Sequence, residues 1–354
     1  MKSGVVVVAA KITDVAQKAG VAVSTVSRVF NNTGRISETT REKVLQVAEN
    51  LAYHPRKYHR QEKAPARSLF VIYHQKINVL NNNFYSLIME EVEHLLTENN
   101  YHLIFKTVTG DLERDHHIME TIAQVPKSGF ILIGYEIAPE IIRALKKTNL
   151  PLILIDNVFL EEAVDCVVID NFYGALQGVD HLLDLGHRRI GFIGGPLNHT
   201  SLNERYLGYR TALDRAGVTP EPAYARICSP DFGVENGYGA ALEMLGQTDV
   251  RPTAIFAAND GLAIGVLKAA RQLGISVPDQ LSVLGFDDID FATHTDPPLS
   301  TIRVFKRQIG REAAKRLVEM IDGASGQPVV KAIVSTELVI RQSTGKYWGL
   351  KEKL

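Results

Sequence analysis

PTAIFAANDGLAIGVLKAARQLGISVPDQLSVLGFDDI, residues 252–289, decides the fold of this 354-residue chain. Its apolar runs Ala254–Ala257 and Leu281–Leu284 predict buried strands, and Asp260–Leu273 between them has helical spacing. Continuous apolar strands that alternate with helices predict parallel sheets covered by helices on both faces. The stretch therefore predicts an α/β fold.

The same alternation extends over residues 68–345. Further strands are predicted at Leu69–Tyr73, His102–Lys106, Gly129–Ile133, Leu152–Ile155, Cys166–Ile169 and Arg189–Ile193. Further helices are predicted at Ser86–Glu98, Gly174–Leu185, Leu202–Ala216 and Val234–Leu245. Ligands of such sheets bind beyond the carboxyl ends of the strands, so polar residues there are binding candidates.

Residues 11–60 predict a separate head of three short helices. Thr13 is positioned to cap the first helix, and Gly20 after it supplies a tight turn, because glycine tolerates a positive φ. The second helix runs from about Val23 to Phe30. The third begins at Ser37, or at a capping box two residues later. This order predicts a helix-turn-helix unit.

Charge is divided unevenly along the chain. Residues 1–67 contain twelve Lys/Arg and five Asp/Glu, a net charge of +7, and the remaining residues contain 27 and 35, a net charge of −8. A basic head on an acidic body suits contact with a polyphosphate such as DNA. A solvated basic surface is the alternative that charge alone leaves open.

Composition and motifs exclude several classes of protein. The two cysteines form no CxxC pair, which excludes a disulfide framework and a zinc finger and predicts a cytoplasmic location. The apolar run Val5–Ala10 is too short for a signal peptide or a membrane span, so neither secretion nor a membrane is predicted. Dinucleotide, Walker, HExxH and GxSxG motifs do not occur, so we expect no enzyme, cofactor or metal site. His181 and His187 are predicted to be surface or capping residues.

The head segment ITDVAQKAGVAVSTVSRVFNNTGRISETTREKVLQVAENLAYHP (12–55) resembles the lactose/galactose repressor (LacI/GalR) family. The resemblance continues in LGHRRIGFIGGP (185–196), ERYLGYRTAL (204–213), PPLSTIR (297–303), ELVIRQST (337–344) and the opening stretch. It implies two Rossmann-like subdomains of the periplasmic-binding-protein type, joined by three crossovers, with a ligand in the cleft. It also implies a transcriptional repressor that binds a palindromic double-stranded DNA operator as a homodimer and responds to a small effector, most often a carbohydrate.

The resemblance assigns base readout in the major groove to the second helix. Arg28 could donate to guanine O6 and N7, Val23 could contact a thymine methyl group, and Thr25 would contact phosphate. A surface ion pair of Arg28 and a local hydrogen bond of Ser27 remain alternatives. Ala22 departs from the family, which has a capping serine there. The candidate DNA-binding residues are Thr13, Val23, Ser24, Thr25, Ser27, Arg28, Asn31, Tyr53, Arg56, Lys57 and Arg60.

The resemblance also assigns the effector site. Its candidate residues are Phe84, Tyr85, Asp156, Arg205, Phe232, Asn259 and Asp287. An arginine, an asparagine and an aspartate that converge at strand ends suit a polyol, because each can pair with adjacent hydroxyls. Capping roles for Asn259 and Asp287 and a core position for Phe232 remain open, and Asp288 is expected to be structural. A regulator with a non-sugar ligand, such as a corepressor, is the alternative function.

The predicted domains are an extension (1–10), the head (11–60), a linker (61–67), the effector-binding and dimerisation core (68–345) and a tail (346–354). The tail has no leucine heptad, so a dimer is expected rather than a tetramer joined through tails. In the linker the family has a leucine that wedges into the minor groove, where this chain has Glu62. An acidic residue cannot act as an apolar wedge, and Tyr58 is the alternative wedge.

Replacing Glu62 by leucine should therefore raise both the affinity for the operator and its bending. The substitution removes a negative charge beside the phosphates and supplies an apolar wedge. Circular-permutation bending assays on the parent and on Glu62→Leu measure this effect. A large bend in the parent that the substitution leaves unchanged would contradict the prediction and favour Tyr58.

Overall fold

The structure is a computed structural model. It describes residues 12–31, 36–51, 67–77, 79, 84–111, 115, 127–135, 137–219, 221–228, 232–246, 251–323 and 328–347. The residue contacts divide the chain into two compact units, 1–65 and 66–354. The predicted extension (1–10), Tyr58, Glu62 and most of the linker and tail lie outside the described residues, and the predicted domain limits stay predictions.

The head consists of helices α1 (Ile12–Ala19), α2 (Val23–Asn31) and α3 (Glu38–Asn50). Its small core is built from apolar side chains that recur at helical spacing on the three helices. The buried members are Val15, Ala16, Ala19, Val26, Val29, Val44 and Ala48. Gly20, with φ +65°, makes the turn between α1 and α2. The predicted three-helix head with a glycine turn is confirmed.

The ends of the head helices differ in part from the prediction. Thr13 is the second residue of α1, and its hydroxyl donates to Asp14, so the predicted cap at Thr13 is wrong. The helix has already begun at Ile12, and Thr13 is exposed in its first turn. Ser37 caps α3 as predicted, since its Oγ accepts from the backbone N–H of Thr40 at 3.3 Å. Ala22 offers only its carbonyl to the start of α2.

The first subdomain of the second unit contains a parallel six-stranded sheet of order β11-β5-β4-β3-β1-β2. Its strands are β1 (Arg67–His74), β2 (Tyr101–Val108), β3 (Lys127–Ile133), β4 (Leu152–Ile155), β5 (Asp165–Ile169) and β11 (Lys331–Val334). Its described helices are α4 (Tyr85–Glu98), α5 (Pro139–Lys146) and α10 (Lys306–Asp322). The apolar segments of the central strands, such as Phe130–Ile133 and Leu152–Ile155, are buried because helices cover both faces of the sheet.

The second subdomain contains a parallel four-stranded sheet of order β7-β6-β8-β9. Its strands are β6 (Ile190–Gly194), β7 (Ala225–Ile227), β8 (Ala254–Ala257) and β9 (Ser282–Leu284). Its helices are α6 (Asn171–Asp184), α7 (Thr200–Arg215), α8 (Val234–Leu245) and α9 (Asp260–Gln272). Strands β10 (Thr301–Val304) and β12 (Thr336–Val339) form a separate antiparallel pair. The predicted α/β class with two Rossmann-like subdomains is confirmed.

The chain passes between the two subdomains three times, after β5, after β10 and after β11. These passages lie side by side. Ile169 at the end of β5 pairs with Val334 at the end of β11, and the N–H of Asp170 donates to the carbonyl of Val334. Val304 pairs with Thr336 on the other side of the same passage. The three crossovers therefore form one narrow hydrogen-bonded ribbon.

His187 departs from the sequence prediction. It is 2% exposed, and its ring nitrogens lie 3.0 Å from the hydroxyl oxygens of Thr253 and Ser282. A surface or capping role is therefore wrong for His187, because two strand-end hydroxyls satisfy the ring inside the fold.

Among the described residues, none of the helices is both long enough and apolar enough to cross a membrane.

Candidate functional site

A cavity of about 160 Å³, here called the first chamber, lies between the two subdomains of the second unit. All seven residues predicted for the effector site line it: Phe84, Tyr85, Asp156, Arg205, Phe232, Asn259 and Asp287. The carboxyl ends of β4, β8 and β9 bring Asp156, Asn259 and Asp287 to this edge, as expected for parallel sheets. The fold thus brings all seven predicted effector-site residues into one cavity. That these residues bind an effector stays a prediction.

Arg205, on α7, is a buried cation in the wall of the first chamber. It is 4% exposed, and its Nη1 lies 3.1 Å from Oδ1 of Asp287. Its Nε donates to Asn171 at 2.9 Å, its Nη1 donates to the carbonyl of Ala258 at 2.6 Å, and its guanidinium carbon lies 3.7 Å from the ring centroid of Phe286. These contacts leave the guanidinium one orientation in the wall of the chamber.

Asp287 faces Arg205 from the loop after β9. The two form an ion pair, but among the described residues nothing makes a well-aligned hydrogen bond to the buried Oδ1 of Asp287. Burial raises the pKa of this carboxyl, and the charge of Arg205 opposes the rise. Oδ1 keeps its 3.1 Å contact with the Arg205 guanidinium, and its remaining lone pair can accept from a ligand hydroxyl.

The backbone around Asp287 is held from behind. Asp287 has φ +110°, and its N–H donates to the carbonyl of Ile302 at 2.8 Å. The ammonium of Lys306 donates to the carbonyls of Asp287 and Asp288. Asp288 itself forms ion pairs with Arg303 and Arg341, at 2.8 and 2.6 Å. Asp288 is therefore structural, as the sequence predicted.

Asp156 joins the two subdomains across the first chamber. It follows β4 with φ +53°, and its carboxylate accepts from the hydroxyls of Tyr85 at 2.8 Å and Ser201 at 2.9 Å. Tyr85 starts α4 in the first subdomain, whereas Ser201 lies on α7 in the second. Burial raises the pKa of Asp156, and these two hydrogen bonds oppose the rise.

Asn259 has the capping role that the sequence left open. Its Oδ1 accepts from the N–H of Leu262 at 2.7 Å and so caps α9, while its Nδ2 donates to the carbonyl of Phe232 at 3.1 Å. Asn259 and Phe232 also line the first chamber, so capping and a place in the wall coincide. Phe232 is half-buried rather than a core residue.

Six further residues line the first chamber and were not predicted: Lys76, Ile77, Tyr135, His199, Ser201 and Leu202. Tyr135 lies two residues after β3, so the strand-end rule applied to every strand would have found it. Ser201 and Leu202 lie at the start of α7 on the side of Arg205, where helical periodicity was the available signal. Lys76 and His199 lie in loops and carried no such signal.

A buried acid lies behind the first chamber. Asp260 is fully buried, and its carboxyl accepts from the hydroxyl of Thr301 at 2.5 Å and from the N–H of Ile289 at 2.9 Å. Burial, together with the nearby charge of Asp287, raises the pKa of Asp260 to about 8. These bonds tie the start of α9 to β10 and to the segment after Asp287.

The raised pKa of Asp260 predicts a pH-dependent stability. Between about pH 4 and pH 8 the folded chain keeps a proton that the unfolded chain has released, so the free energy of unfolding falls as pH rises. Asp260→Asn should remove this contribution, because an amide does not titrate. Its oxygen can accept from the N–H of Ile289, and its NH2 group can donate to the hydroxyl oxygen of Thr301, which then acts as the acceptor. The melting temperature of the variant minus that of the parent should therefore increase from pH 5 to pH 8. A change of about 1 kcal/mol in the free energy of unfolding corresponds to a shift of about 2–4 °C in melting temperature.

Differential scanning calorimetry of both proteins across this pH range measures the difference. A difference that does not change with pH would contradict a raised pKa for Asp260. A difference that falls with pH would mean that the ionised carboxylate is the form that the fold stabilises.

The head presents part of its predicted DNA-binding set on one helix. Val23 is 43% exposed on α2, Arg28 is exposed on the same helix and Thr25 is half-buried. Thr13 is exposed on α1. The side chains of Ser24, Ser27 and Asn31 and the residues Tyr53, Arg56, Lys57 and Arg60 lie outside the described residues. The exposed face of α2 and its buried Val26 and Val29 agree with the predicted orientation of the second helix.

Comparison with known proteins gives matches to both units. Residues 11–56 match the profile of bacterial regulatory proteins of the lacI family, and residues 179–344 match a periplasmic binding protein-like domain. The ribose operon repressor of Haemophilus influenzae is 34% identical over 318 residues, which are 88% of this chain and 92% of the repressor.

Two solved structures are similar over nearly the whole chain. The transcriptional regulator CelR in complex with cellobiose is 29% identical, with a TM-score of 0.71 over 94% of this chain and 99% of CelR. The lac repressor dimer bound to operator and the anti-inducer ONPF is 26% identical, with a TM-score of 0.69 over 95% of this chain and 99% of the repressor chain.

Proposed function

The chain belongs to the lacI family of bacterial regulatory proteins and is a DNA-binding transcriptional repressor with a ligand-binding domain, and we propose that a sugar or sugar derivative in the first chamber controls its binding to the operator. The carrying observation is the buried pair of Arg205 and Asp287, in which Oδ1 of Asp287 has no well-aligned hydrogen bond from a described residue. A polyol hydroxyl can donate to this oxygen and a neighbouring hydroxyl can accept from the guanidinium.

The rest of the first chamber supports a polyol. Asp156 and Asn259 add oxygen acceptors from the two sides of the cleft, and Phe84 and Phe232 offer ring faces against which the C–H groups of a sugar can pack. CelR, which has a similar structure, is in complex with cellobiose, and a similar relative is a ribose operon repressor. Both names support a carbohydrate as the effector class.

For DNA, we propose that α2 enters the major groove and that two heads of a homodimer meet a palindromic operator. The exposed Arg28 and Val23 supply base contacts, and basic residues of the head and linker supply phosphate contacts. The similar lac repressor is a dimer bound to operator. Effector binding in the cleft would then be coupled to operator binding with a free energy of about 1–3 kcal/mol.

Arg28→Ala should weaken binding to the operator by about 1–3 kcal/mol and leave binding to random DNA nearly unchanged. The physical reason is the loss of a two-pronged contact to a guanine edge. Fluorescence anisotropy with fragments from around the encoding gene and with random DNA measures both affinities. Lys18→Ala, another exposed cation of the head, is the matched control. Equal weakening on both DNAs by Arg28→Ala would make Arg28 a phosphate contact instead.

Arg205→Lys should weaken effector binding at least about tenfold, because lysine keeps the charge beside Asp287 but cannot form the guanidinium's paired hydrogen bonds. Keeping the charge also avoids leaving Asp287 buried without a cation. The matched control is Arg210→Lys on the same helix, since Arg210 does not line the first chamber. Calorimetric titration with D-ribose and with cellobiose measures the affinity of the protein for each sugar. Fluorescence anisotropy of labelled operator DNA measures whether the sugar weakens or strengthens DNA binding.

Two results would count against the sugar proposal. The first is equal effector affinity in the parent and in Arg205→Lys, which would remove Arg205 from the site. The second is a melting temperature of the protein that no sugar raises but that a non-sugar metabolite does raise. This result would favour the alternative, a regulator with a non-sugar corepressor.

A further inference from the structure

A buried lysine, Lys306, lies beside the wall of the first chamber. It is the first residue of α10 and is 5% exposed. Its ammonium donates to the backbone carbonyls of Asp287 and Asp288, the latter at 3.0 Å. The same ammonium lies 5.7 Å from the ring centroid of Phe84, which lines the first chamber. Lys306 thus contacts residues of the wall without lining the chamber itself.

This position is unfavourable for a lysine in two respects. Burial lowers the pKa of Lys306, and the neighbouring carboxylates of Asp287, Asp260, Asp288 and Asp290 oppose the fall. The start of a helix carries a partial positive charge, which repels a cation at the first residue of α10. A fold that keeps a charged group at such a cost commonly does so at a functional site.

Lys306 is held in place by the first subdomain. Helix α10 packs closely on α4, because a Cβ added at Gly310 would lie 2.3 Å from the carbonyl oxygen of Ile88. Arg311, on the next turn of α10, forms an ion pair of 2.8 Å with the buried Glu91 of α4. A movement of the first subdomain therefore carries Lys306 with it.

The two carbonyls that accept from Lys306 are held by the second subdomain. Asp287 and Asp288 have φ values of +110° and +51°, which side chains other than glycine rarely adopt. Such a turn persists only when its surroundings hold it. Arg341 pairs with the carboxylate of Asp288 at 2.6 Å, and the N–H of Ile289 donates to Asp260 at the start of α9. Lys306 is therefore a hydrogen-bonded link between the two subdomains.

This link lies next to the crossovers. Lys306 is two residues after Val304, the last residue of β10, and the N–H of Val304 lies 3.4 Å from the same carbonyl of Asp287. The turn that carries Asp287 and the start of α10 thus meet where the chain passes from one subdomain to the other. A shift of the turn reaches the first subdomain directly at this point.

We propose that Lys306 is the positioning residue that couples the first chamber to the angle between the two subdomains. Its ammonium, carried by the first subdomain, holds the turn of Asp287 and Asp288 in the second, so a shift of this turn on effector binding moves α10. The inference rests on the proposed function, because it takes Asp287 as a contact of the effector. Lys306 acts through Asp287, since it does not line the first chamber.

The coupling is measured on the full-length chain as the ratio of two operator affinities, one without sugar and one with saturating sugar. D-ribose, D-glucose and cellobiose are the probes, and fluorescence anisotropy with DNA fragments from around the encoding gene gives each affinity. In the parent the two affinities should differ by about 5-fold to 150-fold in either direction. By linkage, the affinity of the sugar for the free and for the operator-bound protein should differ by the same factor.

Lys306→Met should bring this ratio to within about twofold of one, because methionine has a similar length but neither the charge nor the N–H donors. The affinity of the sugar for the free protein, measured by calorimetric titration, should change by less than about tenfold, because Arg205 and the other lining residues remain. Lys306→Arg keeps a cation with N–H donors and should retain a ratio of at least about threefold. Lys315→Met changes an exposed lysine of the same helix and is the matched control, which should keep the ratio of the parent.

A purely structural role of Lys306 would give a different result, in which Lys306→Met lowers the melting temperature but leaves the ratio unchanged. If Lys306→Met does not fold, Lys306→Gln carries the test, because glutamine keeps an N–H donor without the charge. Lys306→Gln should also lower the ratio.

Three results would overturn the inference alone. The first is a Lys306→Met protein that binds sugar and keeps the ratio of the parent, in which case the proposed function stands without this role of Lys306. The second is a loss of sugar binding itself, which would place Lys306 in the binding wall. The third is a loss of coupling in Lys306→Arg as complete as in Lys306→Met, which would trace the effect to packing at the start of α10. If none of the three sugars binds the parent, the proposed function fails, and the inference fails with it.

Discussion

The guanidinium of Arg205 is the interaction on which the ligand-binding unit depends. A charge that is 4% exposed costs several kcal/mol unless its partners compensate for lost water. Those partners come from different elements: Asn171 from the start of α6, Ala258 from the end of β8 and Asp287 from the loop after β9. Their positions fix where these strand and helix ends converge, and hence where the first chamber lies.

The partners that replace lost water around Arg205 and Asp287 leave one atom, Oδ1 of Asp287, without a well-aligned hydrogen bond from a described residue. This makes the wall of the first chamber suitable for a ligand. Arg205 balances the charge of Asp287 but does not align a hydrogen bond to its Oδ1. The second carboxylate in the wall of the first chamber, Asp156, accepts hydrogen bonds from Tyr85 of one subdomain and from Ser201 of the other. A hydroxyl that approaches Asp156 competes with these two bonds. If the effector binds at Asp156, as proposed, its binding and the contact between the subdomains involve the same oxygen atoms.

Much of the fold followed from the sequence, because buried parallel strands are short and uniformly apolar. All eight predicted core strands form, with bounds that differ by at most two residues at either end. Four strands were not predicted, because they lack such runs: β10 is interrupted by Arg303, β11 and β12 consist of exposed and half-buried residues, and β7 has only three residues. Helices α5 and α10 were also not predicted. The first residue of α10, Lys306, is a buried cation that composition alone would place in solvent.

The candidate site was predictable to the extent that its residues follow strand ends or a family motif. Asp156 follows its strand directly, Asn259 and Asp287 follow theirs by two and three residues, and Arg205 stands in a motif. His199 was not predicted, because its place in the wall depends on how the two subdomains approach each other, which no local pattern encodes. Ser201 was missed although it lies one helical turn before Arg205 on α7. Thr13 shows the opposite error: a threonine was predicted to cap α1, but it lies two residues after the cap position, inside the helix.

The three crossovers have a mechanical consequence. Because Ile169 pairs with Val334 and Val304 pairs with Thr336, the crossovers cannot slide past one another without breaking strand hydrogen bonds. Bending and twisting of the ribbon are the deformations that preserve those bonds, so each subdomain swings about the ribbon as a lever about its pivot. Displacement in such a lever grows with distance from the pivot. A sub-ångström adjustment at the ribbon is thereby magnified at the parts of each subdomain farthest from it.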